Sequence, residues 1–148
     1  MIQRVARAAV SVEGEVVGQI GAGLFVLLGV GGNDGPEAVD WLATKIARLR
    51  VFDDEDGKMN HSLLDTGRAA LVVSQFTLWG NTKKGTRPSY NRAAPPDVAI
   101  PLYEAFVKRL SGELKMPVPT GRFGAMMQID LVNDGPVTLI LDTEQRDF

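Results

Sequence analysis

Hydrophobic and polar residues alternate near the start of the chain and give way to continuous apolar runs further on. Residues 2–12 alternate loosely, the turn Glu13-Gly14-Glu15 follows, and residues 16–20 lead back, which predicts a β-hairpin. Residues 24–30 and 68–78 are longer apolar runs of the kind found in buried strands. These segments predict four strands in the first half of the chain.

Two segments place apolar residues at helical spacing. Pro36 suits the first turn of a helix, and the pattern continues over residues 36–50. A second helix is predicted within residues 96–111, where Pro101 would remove one backbone hydrogen bond and kink the first turns unless the helix begins nearby. The apolar positions are Val39, Leu42, Ile46 and Leu49 in the first segment and Leu102, Tyr103, Phe106 and Leu110 in the second.

The last part of the chain carries two more strand patterns. Residues 126–132 and 137–141 are expected to pair across a turn at Asn133-Asp134-Gly135-Pro136. The full order is β-β-β-α-β-α-β-β, with a long loop at residues 79–96. This order predicts a mixed α/β fold: a single domain over residues 1–148, with layers of mixed β-sheet and two main helices packed on one side.

Composition narrows the chemistry that the chain can perform. Its 148 residues, 45% of them hydrophobic, suit one domain whose core needs no covalent staple. The absence of cysteine excludes a zinc–thiolate site, an iron–sulfur cluster and a cysteine nucleophile. The single histidine excludes a multi-histidine metal site within one chain. We therefore expect no metal and no cofactor.

Glycine-rich segments do not complete any nucleotide-binding motif. Gly29-Val30-Gly31 begins a dinucleotide fingerprint, but Asp34 occupies the position of the third glycine. Gly80 and Gly85 have the spacing of a P-loop, yet Thr86 stands where a lysine is required. No run reaches 18 apolar residues and no signal peptide is evident, so we expect a cytoplasmic protein without membrane contact.

A polar tetrapeptide interrupts the most apolar strand. Ser74, Gln75 and Thr77 supply three hydrogen-bonding side chains directly after residues 69–73. Strand alternation would put Ser74 and Phe76 on one face and the other two on the opposite face, unless the strand bends or ends there. Two interpretations are open: a functional pocket, or a strand that passes from core to rim with its hydroxyls bonded to neighbouring backbone.

The turn at residues 133–136 has an unusual ending. Asn133, Asp134 and Gly135 suit a hairpin turn, but Pro136 opens the next strand. A Gly–Pro bond can be cis at a cost of only about 0.5–1 kcal/mol. A cis bond would aim adjacent carbonyls in the same direction, which is a rigid device for recognition.

Residues 81–92 concentrate positive charge although the chain as a whole carries −2. Four basic residues and no acidic one lie here, with Tyr90 between them. This pattern suits a local patch for an anionic ligand such as RNA, and a solvated loop explains it equally well. The basic residues are Lys83, Lys84, Arg87 and Arg92.

Together these segments resemble the D-aminoacyl-tRNA deacylase family. Ser74-Gln75-Phe76-Thr77-Leu78 resembles its first signature and Asn133-Asp134-Gly135-Pro136-Val137-Thr138 its second. Met126 departs from the family, in which this position is often polar or acidic. Four further segments follow the family in the expected order and extend the resemblance over nearly the whole chain: Ile2-Gln3-Arg4-Val5, Gly57-Lys58-Met59-Asn60, Arg87-Pro88-Ser89 and Thr120-Gly121-Arg122-Phe123-Gly124.

The resemblance implies a homodimeric enzyme that hydrolyses the ester between a D-amino acid and the 3′-terminal adenosine of tRNA. It also implies clearance of glycine from mischarged tRNA, with neither DNA nor membrane as a partner. The Gly–Pro bond would be cis and reach into the partner subunit's pocket, where Gly135 and Pro136 exclude an L side chain while Arg4 holds their segment. Further substrate-binding candidates are Met127, Val137 and Thr138, and candidate tRNA contacts are Lys83, Lys84 and Arg87.

The same resemblance places Ser74, Gln75, Phe76 and Thr77 in the pocket. The backbone N–H of Phe76 and its neighbour would be the oxyanion donors. Thr77 could act as the nucleophile, although no residue is evidently placed to take its proton. Alternatively, the 2′-hydroxyl of the RNA assists while the protein orients the ester and stabilises the oxyanion, which the single histidine and the absence of cysteine favour.

Two other functions stay open on the sequence. A non-catalytic tRNA-binding dimer would use the basic loop and leave the ester intact. A small-molecule esterase would use Thr77 or His61 and accept D-aminoacyl esters that lack RNA.

Overall fold

The computed structural model describes residues 1–147. A 3₁₀ helix, Phe76–Trp79, directly follows one of the strands. The helices are α1 (Pro36–Arg48), α2 (Leu63–Thr66) and α3 (Pro96–Leu114). The strands are β1 (Ile2–Val12), β2 (Glu15–Ile20), β3 (Gly23–Leu28), β4 (Phe52–Asp53), β5 (Met59–His61), β6 (Ala69–Ser74) and β7 (Gln128–Leu139).

The sheet is organised around β1, which has strands on both edges. One edge pairs antiparallel with β7 from Ile2 to Ser11. The other edge pairs with β3 near the start of β1 and with β2 near its end, both antiparallel. β6 then pairs in parallel with β3. This arrangement leaves β7 and β6 on opposite sides of the β1–β3 pair.

The sheet curls, and a loop closes the gap between β6 and β2. The N–H of Val72 donates to the carbonyl of Pro119 at 3.0 Å, and the N–H of Gly121 donates to Val72 at 3.3 Å. On the other side, a methyl group placed on Gly18 of β2 would lie 2.6 Å from the carbonyl oxygen of Thr120. The loop therefore lies directly between the two strands.

Successive residues of the central strands enter two different apolar layers, as strand alternation requires. Leu24, Val26 and Val72 face the two long helices, whose buried residues include Ile46 of α1 and Phe106 of α3. The opposite face forms a second layer inside the curl, made of Val5, Ala8, Val10, Ile20, Phe25, Leu71 and Val73. The prediction of two main helices packed on one side of a mixed sheet is confirmed.

The end of the chain differs from the predicted pair of strands. Residues 126–132 and 137–141 do not pair with each other across a turn, because β7 is one strand that pairs with β1 on both sides of an interruption. Thr138 pairs with Gln3 and Asn133 pairs with Val5, so four residues of β7 stand opposite one residue of β1. Residues 134–137 are therefore a large bulge, which the turn-forming residues of this segment equally favour.

Several strands and helices end at other residues than the sequence predicts. The apolar run 68–78 is a strand only to Ser74, and its last three residues belong to the 3₁₀ helix. The second main helix continues to Leu114, and its Pro101 is exposed to solvent within the helix. The short elements α2, β4 and β5 were not predicted, because two to four residues are too few to show a period. No helix within residues 1–147 is long and apolar enough to cross a bilayer.

Candidate active site

The polar tetrapeptide lies where β6 ends. The N–H of Gln75 donates to the carbonyl of Leu28 at 2.8 Å, which is the last hydrogen bond between β6 and β3. The chain then turns into the 3₁₀ helix at Phe76, so strand alternation no longer decides where these side chains point. Both strands are parallel and end here, and the carboxyl ends of parallel strands are where such sheets commonly bind ligands.

Aromatic contacts hold the 3₁₀ helix against its neighbours. Phe76 is 57% exposed and meets the ring of Tyr90 edge-on, with 5.1 Å between the ring centroids. Trp79 lies so close to Gly31 that a methyl group there would overlap the indole ring. The rigid helix therefore presents an exposed aromatic ring beside the end of β6.

In the described part of the chain, the side chain of Thr77 has a hydrogen-bond partner that is not a general base. Its hydroxyl oxygen accepts from the side-chain amide of Gln75. Among residues 1–147, no carboxylate, imidazole or amine hydrogen-bonds to Thr77. An amide does not take a proton from a hydroxyl near neutral pH, so the Thr77 hydroxyl is poorly activated for attack.

The first turn of the 3₁₀ helix leaves two backbone donors available. No backbone acceptor in the described part of the chain is hydrogen-bonded to the N–H of Phe76 or of Thr77. Unpaired N–H groups of this kind are expected at the start of a helix. Donors fixed by the backbone suit the negative oxygen that develops when an ester is attacked.

A second group of predicted residues surrounds the bulge in β7. The Gly135–Pro136 bond is cis, and Gly135 has φ +124°. The buried side chain of Arg4 donates to the carbonyl of Asp134 at 3.1 Å and to the carbonyl of Val51 at 2.7 Å. It also bonds to the carboxylate of Asp53 at 3.2 Å. Arg4 thus ties the bulge to the chain beside β4.

Side chains within β7 close the base of the same bulge. The side-chain oxygen of Asn133 accepts from the N–H of Val137 at 3.0 Å, and its amide donates to the hydroxyl of Thr138 at 2.9 Å. Gln3 of β1 donates to the same hydroxyl at 3.2 Å. The side chains of Asn133 and Thr138 therefore stabilise the conformation of the bulge. Their spacing in the sequence does not indicate this role.

The two groups lie far apart within one chain. The bulge stands opposite Arg4, which pairs with Leu24 of β3, and Leu24 pairs with Ala70 of β6. Ser74 comes four residues further along β6. With strands about 4.8 Å apart and about 3.3 Å per residue, the separation is roughly 15–20 Å. One chain therefore does not bring Gly135 to Ser74.

The two adjacent methionines, Met126 and Met127, differ in burial. Met127 is partly buried and packs against the layer that contains Val73, the neighbour of Ser74. Met126 is 91% exposed. Of the two, Met127 is the one that the fold places beside the tetrapeptide.

His61 lies on a separate two-stranded sheet, where β5 pairs with β4. It stands near Asp65, whose pKa is lowered chiefly by the N–H of Ser62 and to a smaller extent by the charge of His61. The structure shows no hydrogen bond between His61 and Thr77 among the described residues. A catalytic pair of these two residues therefore has no geometric support.

The basic residues 81–92 divide into a loop tip and a base. Asn81 and Ser89 exchange two backbone hydrogen bonds of 2.8 and 3.0 Å, which close the loop. Lys83, Lys84 and Arg87 lie within the tip that this pair encloses, and they are exposed. Arg92 lies at the base, with its guanidinium 5.0 Å above the Trp79 ring.

Comparison with known proteins agrees with this fold and shows the family of the chain. The family model for D-Tyr-tRNA(Tyr) deacylase matches residues 1–142. A D-aminoacyl-tRNA deacylase from Opitutus terrae is 54% identical, over 99% of this chain and 98% of its own. Relatives of the same name from Thermosipho africanus and Salinibacter ruber are 57% and 59% identical, over 98% and 94% of this chain and 97% and 93% of theirs.

Two solved structures share the fold. One, titled c-Myc DNA Unwinding Element Binding Protein, has a TM-score of 0.89 and 40% identity, covering 95% of each chain. The other, titled as a probable eukaryotic D-amino acid tRNA deacylase, has a TM-score of 0.75 at 18% identity, covering 91% of this chain and 93% of its own. The protein is a hydrolase that acts on ester bonds. It belongs to the D-Tyr-tRNA(Tyr) deacylase family.

Proposed function

We propose that this protein hydrolyses the ester of D-aminoacyl-tRNA, and of glycyl-tRNA formed by mischarging, in a site that two copies of the chain build together. The separation of the two signature segments within one chain carries this proposal. Ser74 to Thr77 form one wall, and the Gly135–Pro136 bulge of a second copy forms the other. Arg4 keeps the bulge in place through its bonds to Asp134 and Val51.

The surface of β7 supports a second copy as the missing part. This strand has several exposed apolar residues, and β1 is the one strand with which it pairs among residues 1–147. An unpaired apolar edge is a surface that proteins usually cover. The exposed apolar residues on or beside β7 are Met126, Ile129, Val132, Leu139 and Ile140.

In this proposal the site distinguishes D- from L-amino acids by steric exclusion of the L side chain. Main-chain atoms of Gly135 and Pro136 leave room for a hydrogen atom but not for an L side chain. A rigid backbone wall excludes the wrong enantiomer better than a flexible side chain does, and it need not recognise each D side chain. Glycine has no side chain to exclude, which accounts for the clearance of glycyl-tRNA. Val137, Thr138 and Met127 complete the surroundings of the amino acid.

The RNA supplies part of the chemistry. The 2′-hydroxyl of the terminal adenosine assists attack on the ester, and the N–H groups of Phe76 and Thr77 stabilise the oxyanion. One such donor contributes about 2.7–4 kcal/mol in other enzymes, so fixed donors can supply much of the rate. No general base is hydrogen-bonded to Thr77 among residues 1–147, which supports this route over a threonine nucleophile. Lys83, Lys84 and Arg87 at the loop tip contact tRNA phosphates.

The first experiment compares D-Tyr-tRNA with L-Tyr-tRNA, using the wild-type protein and Thr77→Ala. We expect loss of the D ester alone, and we expect Thr77→Ala to keep its rate within about tenfold because the hydroxyl is not the nucleophile. The measurement is the rate of release of the amino acid, with Thr44→Ala in α1, outside the proposed site, as a control. Complete loss of activity in correctly folded Thr77→Ala would favour a threonine nucleophile instead.

The same experiment separates the two other functions. If tRNA binds while both esters survive, the protein is a non-catalytic RNA-binding module. If D-aminoacyl esters without RNA are hydrolysed as fast as the tRNA ester, the RNA has no part in catalysis.

A further inference from the structure

A polar cleft adjoins the far end of the 3₁₀ helix. Its volume is about 500 Å³, and it begins at Leu78, directly after Thr77. One wall comes from the helix and the base of the basic loop, and the other from the C-terminal segment. The lining residues used below are Trp79, Asn81, Lys83, Arg92, Asp142 and Gln145.

Arg92 is held in this cleft with its hydrogen-bonding edge available. The guanidinium lies 5.0 Å above the Trp79 ring, and Trp79 is fixed against Gly31. The carbonyl of Arg92 also accepts from the N–H of Gly32 at 3.2 Å. A guanidinium stacked on an aromatic ring keeps its N–H groups free for a planar anion such as phosphate. The Arg92 side chain is therefore already ordered, and binding of a ligand costs less conformational entropy.

Positive charge dominates the loop wall of the cleft. From Thr66 to Pro96 the sequence contains no Asp or Glu, although the chain as a whole has 18. Neither Arg92 nor Lys83 forms an ion pair with any of residues 1–147. The opposite wall contributes the carboxylate of Asp142, which already accepts from the N–H groups of Glu144 and Gln145 at 2.8 and 3.3 Å.

We propose that this cleft binds the phosphates of the unpaired RNA strand directly 5′ of the terminal adenosine, with Arg92 as the principal contact and Lys83 as the second. This inference rests on the proposed function, because a terminal ester held at Thr77 places the strand beside Leu78 and Trp79. Backbone phosphates are present whatever the base, so the cleft contributes affinity for any tRNA without reading its sequence. Arg92 belongs to the basic patch of residues 81–92, but the family resemblance implies only Lys83, Lys84 and Arg87 as tRNA contacts.

The test compares two substrates for each variant: D-Tyr-tRNA, and 3′-O-D-tyrosyl-adenosine, which has the reacting ester but no phosphate. For Arg92→Gln we expect the ratio of kcat/KM, tRNA over adenosine ester, to fall about three- to tenfold. The slope of log KM for tRNA against log salt should decrease by about 0.7 for one lost contact to a single strand. Arg92→Lys keeps the charge and should retain most of the salt slope.

Arg48→Gln is the matched control, because Arg48 is exposed at the far end of α1 and the variant loses the same charge. Its substrate ratio should equal that of the wild type. If Arg92→Gln lowers kcat/KM equally on both substrates, Arg92 merely supports the 3₁₀ helix through Trp79 and the proposal is overturned. An unchanged ratio and salt slope overturn it as well. Failure of the proposed function looks different, because the wild type would then hydrolyse neither ester or would hydrolyse both equally fast.

Discussion

Gly135→Ala is expected to reduce kcat/KM for D-Tyr-tRNA about 100-fold while the protein stays folded. A Cβ atom at Gly135 would lie 2.8 Å from Nη2 of Arg4 and 3.0 Å from Cγ2 of Val137. Arg4 cannot simply swing away, because its bonds to Val51, Asp53 and Asp134 hold it. The value of φ, +124°, is also one that alanine rarely adopts. The bulge must therefore shift, and the D over L preference should fall with it.

Gly57→Ala is the control for this change. Gly57 also has a positive φ, +75°, but a Cβ there meets no atom of residues 1–147 within 4 Å. It should therefore show the backbone strain alone, without loss of activity. Gly135→Ala with wild-type rate and wild-type discrimination would remove the bulge from the proposed site.

Subunit exchange between two inactive variants tests whether two chains share one site. Thr77→Trp places a large ring on an exposed position of the 3₁₀ helix and should block the pocket, whereas Gly135→Ala damages the other wall. In a shared site, random exchange of subunits gives half heterodimers, each with one intact site, and about one quarter of the wild-type activity returns. No recovery after complete exchange would place both walls in one chain.

Arg4→Met is expected to lower the free energy of unfolding by about 3 kcal/mol. The apolar stem keeps its packing, but the carbonyls of Val51 and Asp134 lose a charged donor. For a chain of this size the melting temperature should fall by about 6–12 °C, measured by calorimetry. Activity on D-Tyr-tRNA should fall further than stability accounts for, since the bulge loses its attachment.

Arg7→Met is the matched comparison, three residues further along the same strand. Arg7 also meets a carboxylate, that of Asp130 at 3.1 Å, but both side chains are more than half exposed. Exposed ion pairs contribute at most about 1 kcal/mol. Equal losses of stability in the two variants would show that the burial of Arg4 does not matter.

The sequence by itself determined most of the elements and the chemistry that the chain lacks. Apolar residues at helical spacing, which include Ile46 in α1 and Phe106 in α3, predicted the two long helices. The apolar run of β6 predicted a buried strand. Both patterns are visible in the sequence because each element must bury one face. The absence of cysteine and the single histidine removed whole classes of mechanism before any fold was known. Linear motifs such as Ser74-Gln75-Phe76-Thr77 were readable too, because they depend on residues adjacent in the chain.

Only the tertiary structure decided where those residues lie. Asn133-Asp134-Gly135-Pro136 suits a hairpin turn and a bulge equally, and the pairing of β7 with β1 on both sides of this segment selected the bulge. Strand alternation could not predict the direction of the Thr77 side chain, because the chain leaves the sheet after Ser74. The bonds from Arg4 to Asp134 and the stacking of Arg92 on Trp79 depend on side chains that approach through space. Such contacts follow from pairing and packing between distant segments, which no local pattern encodes.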